Sequence, residues 1–300
     1  MARLFEYSQA ADPDLPRVPV RLFGPHLHAE GPTRVEFFDL SGELGAPSPC
    51  TSPNLLAGFV RICAHQSQAM RVCATSSMFF CLRGAGETSW ANEVMTWKQG
   101  DLFVVPGTAT FWHDATEDAA LYFVTDEALL SYLGVRPCTH TFAATMFPAE
   151  LLRASVEDIA RDGHTHSNRL GVLLATERTE ATTRTLTRTL WCLLNLLPAG
   201  RTQPPHRHNS VALDLVVSAP ASGCYTLLGP SLAADGTVGH PVRVDWVSGA
   251  VFTTPPGWWH SHHNDSGQDA WVLPVQDAGL FTHQRVLGLD AVPCSVTPGC

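Results

Sequence analysis

The sequence predicts an all-β chain made of two β-barrels in tandem, separated by a helical segment. Three observations carry this. Short apolar runs recur along most of the chain, and turns rich in Gly (23 residues) and Pro (22) separate them. A distinctive succession occurs twice: Trp97-Lys98-Gln99-Gly100 leads to Trp112-His113, and Trp246-Val247-Ser248-Gly249 leads to Trp259-His260. Each copy continues into an apolar run, an aspartate (Asp126, Asp277) and a short stretch ending in Leu-Gly (Leu133-Gly134, Leu287-Gly288), as two copies of one barrel would. Between the copies, residues 148–162 have helical spacing: Leu151, Leu152, Val156 and Ile159 form a stripe, Pro148 suits the first turn, and Gly163 is a stop signal.

In chain order, residues 1–57 are rich in Pro and Gly and read as an arm packed against a barrel, with one strand candidate at 34–40. Residues 58–145 form the first barrel, with strands expected at 58–63, 78–82, 101–105 and 120–124 and a short helix at 126–135. Residues 146–183 are the helical linker. Residues 184–300 form the second barrel, with strands expected at 189–197, 213–218, 224–228, 242–247, 250–254 and 270–275 and a closing helix near 280–289. Asp126 and Asp277 are expected to cap the helices that follow them.

Composition narrows the functions. A net charge of −9 without a basic cluster excludes a phosphate-binding surface, so no nucleic-acid partner is expected. No run approaches 18 apolar residues, and Met1 to Tyr7 lacks an apolar signal core, so neither a membrane span nor export is expected. The nine cysteines are odd in number and form no Cys-x-x-Cys pair, as free thiols in a reducing cytoplasm would be. Charged residues make up only 16% of the chain, which favours an oligomer.

The chemistry concentrates in the second barrel. His206 and His208 lie two residues apart, a spacing that points both imidazoles to one face of a strand. His260 follows an apolar run and the turn Pro255-Pro256-Gly257. Three convergent imidazoles suit a borderline metal such as Fe, Mn, Ni or Zn. Two other His-x-His pairs, His26/His28 and His164/His166, lack an answering histidine segment and are not expected to bind metal.

These residues carry a family resemblance. Gly200, His206 and His208 match the first cupin motif, G-x5-H-x-H-x3/4-E-x6-G, except at its glutamate. Val211, Ala212 and Leu213 occupy that region, and Asp214 falls one residue beyond it. Gly249, Pro255, Gly257, His260 and Asn264 match the second motif, G-x5-P-x-G-x2-H-x3-N, throughout. The chain therefore resembles the bicupins: two jelly-roll barrels, here with a three-histidine site lacking the usual carboxylate. His206-Arg207-His208 and Trp259-His260-Ser261-His262 are similar to the corresponding segments of gentisate and salicylate 1,2-dioxygenases.

That resemblance implies a non-haem Fe(II) enzyme, with Mn, Ni or Zn as alternatives. It implies dioxygen and an aromatic acid with adjacent hydroxyl (or amino) and carboxylate groups as substrates. It also implies assembly as a homodimer or homotetramer. His262, two residues beyond a ligand, is the candidate catalytic acid/base or oxygen-orienting group. Arg188 is the candidate cation for the substrate, with Arg184 and Arg207 as its neighbours in sequence. Strand alternation turns Arg207 away from the metal. Trp191 and Asn195 share a strand face, and together with Gln276 they are expected to line the pocket.

One departure follows. The family leads one to expect iron in the first barrel. Here Arg71 and Cys73 are the expected counterparts of the two histidines, and His113 is the expected counterpart of His260, so the first barrel should be metal-free. Two other readings compete: an isomerase, decarboxylase or lyase using a divalent Lewis acid, and a non-catalytic small-molecule binder.

Overall fold

The computed structural model describes residues 1–107, 109–162 and 169–293. Each barrel consists of two antiparallel sheets. The larger sheet of the first runs, in spatial order, Thr145–Phe147, Leu102–Pro106, Ser76–Arg83, Ala119–Thr125, Leu56–Ile62, Arg34–Phe37. Its counterpart in the second runs Leu22–Phe23, Val251–Thr254, Ala212–Ser218, Ala270–Gln276, Trp191–Leu197, Leu170–Leu174. The smaller sheets are Ser67–Val72, Ala109–Ala115, Ala85–Trp90, Glu93–Lys98 in the first barrel, and Arg201–His208, Trp259–Asn264, Cys224–Gly229, Val242–Asp245 in the second. The two barrels match strand for strand. The second adds Leu289–Ala291 beside its histidine strand and a small pair, Ser231–Leu232 with Val238–Gly239.

The arm serves both barrels: Arg34–Phe37 pairs within the first, while Leu22 and Phe23 pair with Phe252 and Val251 of the second, covering an otherwise open sheet edge. The helix Ala149–Asp162 buries Leu152 and Val156, whereas Leu151 is exposed. Leu170–Leu174, inside the stretch read as helical, is a strand of the second barrel.

Strand alternation builds the core. Leu213 and Leu215 face the other barrel and join Phe38, Phe59, Tyr122 and Val275 in a shared core. In the first barrel Met70, Val72, Phe79, Phe103, Phe111 and Phe123 belong to a second apolar core. In the second, Val216, Trp246 and Phe252 form a third, smaller one.

Asp126 and Asp277 make no side-chain cap to the helices Glu127–Leu133 and Ala278–Gln284. They bind backward instead. Asp277 accepts from the Val211 amide at 3.0 Å and from Asn54 Nδ2 at 2.7 Å. Asp126 accepts from the Thr75 and Ser76 amides at 2.7 and 3.2 Å. Each carboxylate thus ties the end of one barrel strand to the turn entering another, a task that outweighs capping a seven-residue helix.

The registers correct the expected correspondence. His113 lies opposite Gln68 and Thr88, as His262 lies opposite Gln203 and Thr226. His113 is therefore the counterpart of His262, not of His260. Met70 pairs with Phe111 as His206 pairs with His260, and Val72 occupies the place of His208. Arg71 is exposed on the opposite strand face, and Cys73 lies beyond the strand. The spacing from Gly100 to His113 equals that from Gly249 to His262, so the two extra residues before His113 arise only when it is matched to His260. A one-residue slip then exchanges interior for exterior.

Candidate metal centre

Two neighbouring antiparallel strands supply the imidazoles: His206 and His208 from Arg201–His208, His260 and His262 from Trp259–Asn264. A bulge at Pro204-Pro205 sets the register, with two residues between Gln203 and His206 where the first barrel has one between Gln68 and Met70. The rings of His206 and His260 are 3.9 Å apart between centroids, and those of His208 and His260 are 5.0 Å apart. One nitrogen from each of the three lies within 4.8 Å of the others.

Hydrogen bonds orient this set. His208 Nδ1 meets the Ser210 carbonyl at 2.9 Å, and His260 Nδ1 meets the Trp258 carbonyl at 3.1 Å. A carbonyl only accepts, so both rings carry their proton on Nδ1 and leave the Nε2 lone pair free. His206 has a buried Nδ1 without a hydrogen-bond partner among the described residues. Burial pushes all three rings well towards the neutral form. Three neutral, converging imidazoles, one of them unsatisfied, fit a borderline divalent metal. Among the described residues no carboxylate joins the cluster.

His262 is buried and lines the same cavity. Its Nδ1 lies 2.9 Å from Thr226 Oγ1, which also accepts from Trp246 Nε1 at 2.8 Å. His262 Nδ1 is the acceptor within reach of the Thr226 hydroxyl proton among the described residues, so the threonine donates to it, which places the ring proton on Nε2. Burial, reinforced by the positive charge of Arg169, holds His262 down to about 3, so the ring stays neutral.

The cavity has a volume of about 260 Å³. Trp191, Asn195 and Gln276 line it, as the sequence suggested. Asn195 and Gln203 pair amide to amide at 3.2 and 3.3 Å. Gln276 Oε1 accepts from Ser210 Oγ at 2.7 Å, and that hydroxyl also reaches His208 Nδ1 at 3.1 Å. The arginine assignment is corrected. Arg188 and Arg184 are exposed on the loop leading into the strand Trp191–Leu197, outside the cavity. Arg207 points outward onto the Trp259 ring and pairs with Asp290 at 2.8 Å.

The cavity's cation is Arg169, which the sequence reading missed. It is half-buried, donates to the Pro204 carbonyl at 2.7 Å, and has no carboxylate partner among the described residues. It precedes the strand Leu170–Leu174, whose place in the barrel was hidden by reading the stretch as helical linker. Asp214 also lines the cavity, although its sequence position is one residue late for the motif's glutamate. His28 is buried away from the cluster with Nε2 at 3.0 Å from the Gly249 carbonyl. His164 and His166 lie outside the described residues. Among the described residues Cys50, Cys63, Cys81, Cys138, Cys192 and Cys224 are free thiols; Cys294 and Cys300 also lie outside the described residues. Among the described residues no helix is long and apolar enough to cross a membrane.

Fold and site together define a double-barrel cupin architecture with a three-histidine cluster in its second barrel. No family model matches the chain. It is similar over 96% of its length to the salicylate 1,2-dioxygenase of Pseudoaminobacter salicylatoxidans, with a TM-score of 0.73, 12% identity and 93% of that chain covered. A variant of that enzyme in complex with gentisate gives the same TM-score, covering 91% of its chain. The oxalate decarboxylase of Bacillus subtilis is similar over 85% of this chain and 75% of its own, with a TM-score of 0.56 and 12% identity. In sequence, the chain is 34% identical over 76 residues to a 5-aminosalicylate 1,2-dioxygenase of a Comamonas species. That match covers 24% of this chain and 18% of the length of the other protein.

Proposed function

We propose that the protein is a non-haem Fe(II)-dependent ring-cleaving dioxygenase acting on a hydroxy- or amino-substituted aromatic carboxylate. One observation carries this reading: three neutral imidazoles, with no carboxylate in their cluster among the described residues, open onto a cavity lined by a half-buried guanidinium that has no carboxylate partner among those residues. A divalent ion held by such a set keeps its full charge and favours an anionic chelating guest. Similarity to salicylate 1,2-dioxygenase in fold, and to 5-aminosalicylate 1,2-dioxygenase over a short stretch, supports the substrate class. The size agrees: a cavity of about 150 Å³ suffices for benzene, and this one measures about 260 Å³.

His206, His208 and His260 would hold the ion. Bound ferrous iron supplies Lewis acidity, open positions for a chelating acid, and electrons for activating dioxygen. Arg169 takes the substrate carboxylate in a charge-assisted hydrogen bond. Trp191, Leu193 and Pro274 flank the ring and exclude water. His262 presents an Nε2–H donor to oxygen on the reacting face. Ser210 and Gln276 hold His208 in its ligating tautomer. Free thiols support a cytoplasmic protein.

The test is anaerobic loading with ferrous iron followed by oxygen uptake across hydroxy- and aminobenzoic acids. Stoichiometric uptake with loss of the aromatic chromophore is expected. Turnover without oxygen consumption would favour a Lewis-acid lyase or isomerase. Acid bound but unchanged in air would favour a binder.

A further inference from the structure

Asp214 has no structural reason to be a carboxylate. It lies on the inward face of the strand Ala212–Ser218, between neighbours Leu213 and Leu215 that face the other barrel. Asp214 pairs with Pro274 three residues before Asp277, and Phe79 pairs with Phe123 three residues before Asp126. The first barrel thus places an apolar phenyl ring where the second places this carboxyl.

The hydrogen bonding is equally telling. Asp126 and Asp277, which hold the barrels together, each use both carboxylate oxygens. Asp214 accepts one bond among the described residues, from Thr254 Oγ1 to Oδ2 at 2.6 Å. Thr254 fixes the plane of the carboxyl, and Oδ1 is left over at the wall of the cavity. No ion pair joins Asp214 to Arg169, the other charged side chain lining the cavity. Burying a carboxyl there is costly: burial pushes it up to about 7. A guest that donates to the free oxygen would recover that cost.

We propose that Asp214 is a specificity-determining residue: its free oxygen accepts a hydrogen bond from an N–H or O–H donor carried on the ring of the bound acid. Resting on the reading of this cavity as an aromatic-acid site, this makes the guest bifunctional. A carboxylate meets Arg169, and an amino or hydroxyl substituent beyond the chelating pair meets Asp214. Acids lacking the second donor leave a buried acceptor unpaired and are rejected.

The experiment is anaerobic calorimetry on the iron-loaded protein with 2-hydroxybenzoate and its ring-substituted amino, hydroxyl, methyl and nitro derivatives. The native protein is expected to bind an amino derivative about 10- to 100-fold more tightly than its methyl isostere. Asp214→Asn keeps an oxygen for Thr254 and turns an NH2 towards the guest, so the preference should shift to the nitro derivative. Thr254→Val frees the carboxyl and should reduce the amino-to-methyl ratio while leaving metal content unchanged. An amino-to-methyl ratio near one in the native protein, or one unchanged in Asp214→Asn, would overturn the assignment. Because binding is read without oxygen, selectivity that depends on Asp214 would stand even if ring cleavage failed. Oxygen uptake without such selectivity would sink only this proposal.

Discussion

The two barrels share a strand order and differ in what they enclose. Both keep a Trp–Thr–His relay: Trp97, Thr88 and His113 in the first, Trp246, Thr226 and His262 in the second, with bonds of 2.8 to 2.9 Å. Around that relay the first barrel places Met70, Val72, Phe111 and Phe79, where the second places His206, His208, His260 and Asp214. The first is lined by apolar side chains: His113 Nε2 is buried without a partner among the described residues, and its ring packs against Phe79 and Phe111. The second gives up that packing for a cavity lined by polar and charged side chains. Its stability must come from elsewhere, namely the shared core between the barrels and the arm strand Leu22–Phe23.

This contrast can be broken in several places. The largest effect is expected at the imidazoles. His206→Ala, His208→Ala or His260→Ala should each reduce bound iron from one per chain towards none, read by elemental analysis after gel filtration. If the triple variant kept its iron, the ion would have to sit elsewhere. Next comes the guanidinium: Arg169→Met should weaken binding of the aromatic acid about 100-fold with iron retained, whereas Arg188→Met should leave affinity unchanged.

In the first barrel, Phe111→Ala should cost about 3–5 kcal/mol in stability by leaving a core cavity, without altering metal content. The relay offers a matched pair. Thr226→Val should lower turnover about 10-fold by releasing the His262 tautomer. Thr88→Val should cost only about 1 kcal/mol of stability and no activity; equal effects on turnover would show that the first barrel is not inert.

The smallest effect is a pH slope. Burial holds His113 down to about 3, against an ordinary value of 6.5. The unfolded chain takes up this proton first as pH falls, so native stability declines between pH 6.5 and about 3. His113→Phe should make that decline shallower in denaturant titrations of the metal-free protein. An unchanged slope would mean that other buried histidines, His28 among them, dominate acid unfolding.

Much of this was legible in the residues themselves. Alternation, turn residues and the repeated Trp/Gly/His succession identify two barrels, because periodicity two and Gly/Pro turns are local properties. His206 and His208 point the same way because a strand demands it, and the Pro-x-Gly turn before His260 marks a third donor. Trp191 and Asn195 share a face for the same local reason. Tertiary structure alone decided the rest. Arg169 enters the cavity because Leu170–Leu174 pairs with Trp191–Leu197, a partnership with no local signature. Arg188 leaves the cavity because its loop faces solvent. His113 answers to His262 because cross-strand register, not distance along the chain, sets which faces meet. Asp214 sits one residue away from the motif position, and only the pleat of its strand shows that it faces inward. A chain states its own periodicity, but which strand lies beside which is settled by burial of apolar surface across the whole molecule, and the cavity's charges follow from that pairing.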